Sequence, residues 1–171
     1  MSESAFSIGT VVRFHEIRST HDAVHAQQVL LSALAEQEFT AASGLFTAAG
    51  WQVRYAVIGD DKASNRAELA LEIIPLLSLV GVRRPVARCA APVAARAEAT
   101  GSRLVTTTVW GRRGDAGTVG FAARRVTRAV EAATERLDGT LRSSMGSPDP
   151  TAPVDGRQFQ RLTHWRSHRG R

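Results

Sequence analysis

Apolar positions change their spacing several times along this chain, and each change predicts an element. Residues 8–17, IGTVVRFHEI, gather Val11, Val12, Phe14 and Ile17 into a run that reads as a first strand. From Ser19 the spacing becomes helical. Val24, Leu31, Ala35, Ala42, Phe46 and Ala49 fall on one face of a long helix or of two consecutive ones, with Gly44 a weak point and Gly50 a stop. Val53, Tyr55 and Val57 then alternate with Gln52, Arg54 and Ala56, which predicts a strand over 51–59. The phrase LFTAAGWQVRYAV is thus read as a helix end running directly into a strand.

Further on, Asn65 and Glu68 have the spacing of a capping box, so a helix is expected to start near Arg66 and to end or kink at Pro75. Residues 82–89 are read as a short strand that Pro85 confines to an edge or a bulge. Pro92 as a first-turn residue and Gly101 as a stop predict a short helix between them. Residues 104–110, LVTTTVW, are β-branched enough to give the clearest strand. After the glycine-rich residues 111–120, Val126, Val130, Ala133 and Leu137 mark the apolar stripe of a last long helix.

Strands and helices alternate, which predicts an α/β fold: a single layered domain with a small mixed sheet of about four strands covered by helices. It is expected to occupy residues 1–145. Residues 146–156, GSPDPTAPVDG, hold three prolines and no apolar pattern, so they read as a linker. The Arg-rich C-terminal tail follows, and 146–171 as a whole is expected to be disordered in isolation. No internal repeat is visible.

Composition narrows the class. At 171 residues with 43% apolar and 22% charged side chains, the chain can bury a proper core. Cys89 stands alone, which excludes an internal disulfide, and among alanines it reads as a small core residue. The opening MSESAFSIGT lacks the basic start and apolar run of a secretory leader. The apolar residues 69–82 are too few to span a bilayer and include Glu72 and Pro75. A cytoplasmic protein without membrane contact is expected. The net charge is +6, and Lys62 is the sole lysine among the basic residues. Arginine's planar fork suits phosphates and carboxylates, so the charge points to an acidic partner.

Four stretches carry candidate chemistry. His21 and His25, with Asp22 between them, have the spacing of a zinc-protease helix motif, but a catalytic zinc needs a third protein ligand. Glu36 would lie about 16 Å further along a continuous helix, out of reach. Ser19 and Asp22 also have capping-box spacing, and that reading is preferred: the histidines are weak metal candidates. The loop GDDKASN follows a strand, where α/β folds place ligands. Asp60 and Asp61 there suit magnesium, and Lys62, Ser64 and Asn65 suit a phosphate, although such residues also make ordinary polar turns.

GRRGDAGTVG fits neither the dinucleotide fingerprint nor the P-loop, and no cofactor motif is read elsewhere. Arg112 and Arg113 precede a helix whose early turns are expected to hold Arg124, Arg125 and Arg128, with Glu131 and Glu135 later. A helix favours the opposite order, acids first, so the cluster is read as an anion-binding face, the alternative being that Arg128 and Arg124 pair with Glu131 and the rest is solvated surface. In the tail, Arg157, Arg161, Arg166 and Arg169 interleave with Trp165, as in segments that track a nucleic-acid backbone and stack on its bases.

The favoured function is a non-catalytic binding module for an anionic partner, nucleic acid first, working through the Arg-rich face and tail. The alternatives are a small metal- or phosphate-dependent enzyme using the Asp60/Asp61 loop, and a structural subunit of a larger assembly or homo-oligomer.

Overall fold

The structure, a computed structural model, describes residues 13–41, 45–58, 89–110 and 116–154. Its elements are β1 (Phe14–Ser19), α1 (Ala23–Glu36), β2 (Thr40–Ala41), β3 (Phe46–Ala48), β4 (Trp51–Ile58), β5 (Cys89–Glu98), β6 (Gly101–Thr106), β7 (Val109–Trp110), α2 (Ala116–Arg136) and β8 (Thr140–Ser144). The expected α/β class holds, but among the described residues the sheet is neither small nor mixed. Eight strands form it in the order β2-β4-β5-β6-β1-β8, with β3 also beside β4 and β7 beside β5. All the pairings are antiparallel.

The antiparallel arrangement follows from where the chain turns. β3 and β4 are joined by Ala49 and Gly50, both left-handed at φ 51 and 79, a conformation suited to a tight hairpin. β5 and β6 form a second hairpin, closing at Glu98 opposite Gly101. Gly101 has φ 139, and a Cβ there would lie 2.0 Å from the Ser19 carbonyl oxygen, so β1 can approach only a glycine. Helix α1 follows β1 and leads to β2 at one end of the strand order, and α2 follows β7 and leads to β8 beside β1. The core β1-α1-β5-β6-α2-β8, with strands in the order β8-β1-β6-β5, is a split β-α-β plan into which β2, β3 and β4 are inserted.

Both helices cover one face of the sheet. Leu30, Leu34, Val126, Ala129, Val130, Ala133 and Leu137 join Ile17, Ala91, Val93, Ala95 and Leu104 in the main buried cluster. The predicted stripe of α2 is therefore the observed one. That of α1 is not: Val24 and Ala35 are exposed, Leu31 is half-buried, and the inward face is Ala26, Gln27, Leu30, Ala33 and Leu34. Nearly every turn of α1 carries apolar residues, so its spacing does not single out one face.

Two expected helices are strands. The helix thought to reach Ala49 stops at Glu36. Glu38 adopts φ 69, its N–H donates to Ala35 O, and that of Phe39 donates to Leu34 O. This is a Schellman ending sealed by the buried pair Leu34 and Phe39, and the chain beyond turns into β2. The helix expected between Pro92 and Gly101 is β5, buried from Cys89 to Ala95. A proline is tolerated within it because β6 and β7 part at Thr107 and Thr108, in register with Pro92 and Ala91, where the ladder is already interrupted.

The expected linker also differs. Residues 147–154 lie against the second face of the sheet, where Ala152 and Val154 are buried with Trp51, Val53, Ala94 and Val105. Asp149 shapes this strap by accepting from the Thr151 N–H and hydroxyl, and Trp51 Nε1 donates to Thr151 Oγ1 at 3.1 Å. Proline-rich sequence here makes tight turns, not a free spacer. The predicted helix at Arg66 and the tail beyond 154 lie outside the described residues. Among those that are described, no helix is long and apolar enough to cross a membrane.

Candidate functional site

The outward side of α2 is where the sequence-predicted arginines fall within the described residues. Exposed positions recur at Phe121, Arg124, Arg128, Glu131 and Glu135, one turn after another, while Val126, Val130 and Ala133 face the core. Arg124 and Arg128 thus stand one turn apart on the solvent side, about 5–6 Å between Cβ atoms. Neither makes an ion pair or hydrogen bond, and Glu131 does not reach them. Phe121, 47% exposed, adds an aromatic face at the same end of the stripe.

Arg125 is different. Its guanidinium lies 4.2 Å from the Phe121 ring centroid, donates to Gln37 O at 2.7 Å and pairs with Glu38 at 2.6 Å. It satisfies a carbonyl at the end of α1, as basic side chains near helix C-termini do. Arg136 pairs with Glu36 at 2.7 Å, so α2 grips the end of α1 at two points. Arg125 is committed to the fold, leaving Arg124 and Arg128 as the open pair.

The helix boundary puts this cluster out of reach of the dipole, contrary to expectation. α2 begins at Ala116, so Arg124 and Arg125 lie more than two turns in and Arg128 more than three. The macrodipole acts within the first turn, and these charges are beyond it. What remains is local: two like charges at i and i+4 repel by about 0.2–0.5 kcal/mol, with no acid among the described residues to relieve them. Arg112 and Arg113 lie outside the described residues. So do Asp60, Asp61, Lys62, Ser64 and Asn65, and the tail residues Arg157, Arg161, Trp165, Arg166 and Arg169.

The histidine pair resolves into a cap of a slightly different kind from the one expected. Asp22 itself is the N-cap of α1, its Oδ1 accepting from the Val24 and His25 N–H groups at 3.1 and 2.9 Å. The hydrogen bond from His25 leads in holding the Asp22 carboxyl below its ordinary pKa. Ser19 is not the cap: its hydroxyl accepts from the His21 N–H and donates to Leu137 O. His21 precedes the helix, and the two exposed rings lie 5.1 Å apart. Among the described residues no group of three His, Cys, Asp or Glu side chains is placed to hold a metal.

Sequence reasoning missed two polar clusters on the sheet. The first lies on the second face. Arg96, Arg103 and Arg18 occupy neighbouring register positions on β5, β6 and β1, an arrangement of like charges that would repel if left alone. Glu16 accepts from Arg18 Nε and Arg103 Nη2, both at 2.7 Å. Asp149 of the strap accepts from Arg103 Nη1 at 2.8 Å and Arg96 Nη2 at 3.3 Å. Arg96 also lies over the Trp51 ring, 4.5 Å from its centroid. Burial tends to raise the Glu16 pKa, but hydrogen bonds and charge from Arg103 and Arg18 outweigh it and leave the carboxyl below its ordinary value. Asp149 is lowered chiefly by Thr151, then by the two arginines.

The second cluster crosses the helix-covered face. Thr106, His15 and Ser143 stand in one cross-strand row on β6, β1 and β8. His15, 3% exposed, has Nδ1 2.8 Å from Ser143 Oγ and Nε2 3.4 Å from Thr127 Oγ1 on α2. Burial, helped by the Arg13 charge, lowers its pKa. Thr106 Oγ1 is buried without a partner, a condition that costs about 1–3 kcal/mol.

The chain matches no protein-family model and no curated protein. Its fold type hosts unrelated functions, so function has to be argued from these sites.

Proposed function

We propose that the outward face of α2 is a non-catalytic binding surface of a cytoplasmic protein, holding an anionic partner, nucleic acid foremost. The observation carrying this reading is that Arg124 and Arg128 are exposed, one turn apart and unpaired, while Arg125, Arg136, Arg103 and Arg96 are each paired with an acid of the chain. A partner phosphate would take the forked hydrogen bonds that no acid among the described residues supplies. Exposed Phe121 offers a surface on which a base can stack. Arg112, Arg113 and the arginines of the tail extend the positive field. Contacts of this type hold the backbone and do not read sequence.

The test is binding of a fluorescent single-stranded oligonucleotide in rising salt. The affinity should fall steeply and depend little on base sequence. Binding that is absent, or insensitive to salt, would remove the reading.

A structural-subunit reading draws on a separate observation. Among the described residues β8 ends the strand order of the sheet, is exposed over most of its length, and carries Leu141 at 38% exposure with Met145 at 54% just beyond. Such an edge can pair with another strand. Its measure is oligomeric state by sedimentation: a monomer over a wide concentration range speaks against self-assembly.

A further inference from the structure

We propose that Ser143 is a nucleophile, activated by His15, that accepts an acyl group from an activated carboxylic ester. This site is separate from the anion-binding face and does not depend on it.

Thr127 has one hydroxyl proton, and it goes to Ala123 O at 3.0 Å. Thr127 Oγ1 can therefore only accept from His15, which puts the imidazole proton on Nε2. Nδ1 is then the free acceptor, 2.8 Å from Ser143 Oγ, and Ser143 must be the donor. A hydroxyl donating to a neutral imidazole, whose other nitrogen is held by a third group, is the arrangement that activates a serine. Thr127 serves as the positioning residue.

Burial disfavours the charged imidazole, in the direction a base needs, and Ser143 lies on β8, exposed over most of its length and so open to a reactant. An independent observation sits on the other side of His15: Thr106 Oγ1 is buried and without a partner. A row of polar groups beneath a helix, incompletely satisfied, opposes stability where apolar residues would serve the core. Such departures from local consistency concentrate at functional sites.

In the step itself Ser143 Oγ bonds to the carbonyl carbon while its proton passes to His15 Nδ1. The adduct collapses, the bond to the leaving oxygen breaks, and that oxygen takes the proton from Nδ1. Water repeats the sequence, releasing the acid and restoring Ser143.

The experiment treats the full chain with p-nitrophenyl acetate and maps acetylated hydroxyls by mass spectrometry. Ser143 should acetylate about 10²-fold faster than neighbouring Ser144, the scale of general-base assistance. His15→Asn, which retains a hydrogen-bonding group near Nδ1 without its basicity, should abolish that preference. Thr127→Val should diminish it and Thr127→Ser should restore it, a pattern that loss of packing alone would not give. Should His15→Asn fail to fold, the Thr127 pair decides. Equal acetylation of Ser143 and Ser144, or a Ser143 rate unchanged by Thr127→Val, would overturn the proposal.

Discussion

The two faces of the sheet are built on different principles. Beneath the helices, Ile17, Leu104 and Val93 meet Leu30, Leu34 and Val130, and stability there comes from apolar area removed from water. On the opposite face, at the alternate positions of the same strands, Glu16, Arg103 and Arg96 interlock with Asp149 around Trp51. Charges there offset one another, and each is harmless only while its partners are present. A hydrophobic contact fails gradually, in proportion to the atoms lost. A buried ion pair fails abruptly, since the survivor is left charged and desolvated.

The largest effect is expected where that difference is sharpest. Glu16→Leu should destabilise by about 3–5 kcal/mol, because Arg103 is then buried with one of its two acids gone. Adding Arg103→Met should recover most of the loss, as removing both members of a buried pair often does. Urea unfolding of the single and double variants measures both. On the helix side of the same strand, Leu104→Ala should cost about 3 kcal/mol by leaving a cavity, and no polar change nearby should rescue it. Rescue of Leu104→Ala by altering Glu16, or no recovery in the double variant, would erase the distinction between the faces.

Acid should separate the faces by the order in which they weaken. His15 has a lowered pKa when folded, so its contribution is complete above the unfolded value of 6.5 and is lost as pH falls through the folded one. Glu16 and Asp149 are lowered from 4.5 and 3.8, so theirs is complete above those values and is lost only at more acidic pH. Urea midpoints followed from pH 8 to pH 3 should show a first decline below 6.5 that vanishes in His15→Asn. A second decline in the carboxylate range should shrink in Asp149→Asn. A single decline indifferent to both substitutions would contradict the assignments.

A smaller effect belongs to the cap. Asp22→Ala should cost about 1 kcal/mol, the usual worth of an N-cap, whether or not zinc is added. Stabilisation by zinc that disappears in His21→Ala would instead restore the metal reading of that pair.

What could be read from the sequence followed the same division. α2 was legible because Arg124, Arg128, Glu131 and Glu135 fill its outer side, so Val126, Val130, Ala133 and Leu137 had one face to themselves. α1 lacked that contrast. β5 was misread because CAAPVAARAE has little β-branching and a proline, and what makes it a strand is its pairing to β4 and β6. The second face was invisible for a different reason. Glu16 and Arg103 are 87 residues apart, and each alone looks like solvated charge. Among the α2 arginines, charge was readable but commitment was not, since the role of Arg125 depends on where α1 ends.

The smallest effect on stability is expected at the pair proposed to bind. Arg124→Ala with Arg128→Ala should change unfolding free energy by no more than about 0.5 kcal/mol, because neither side chain has a partner in the fold. The decisive measurement is therefore the salt dependence of oligonucleotide affinity for this double variant against the unaltered chain. The log–log slope should flatten by about 1.4, the counterion release expected of two phosphate contacts on a single strand, with the fold intact. An unchanged slope and affinity would contradict the account and remove α2 as the binding face.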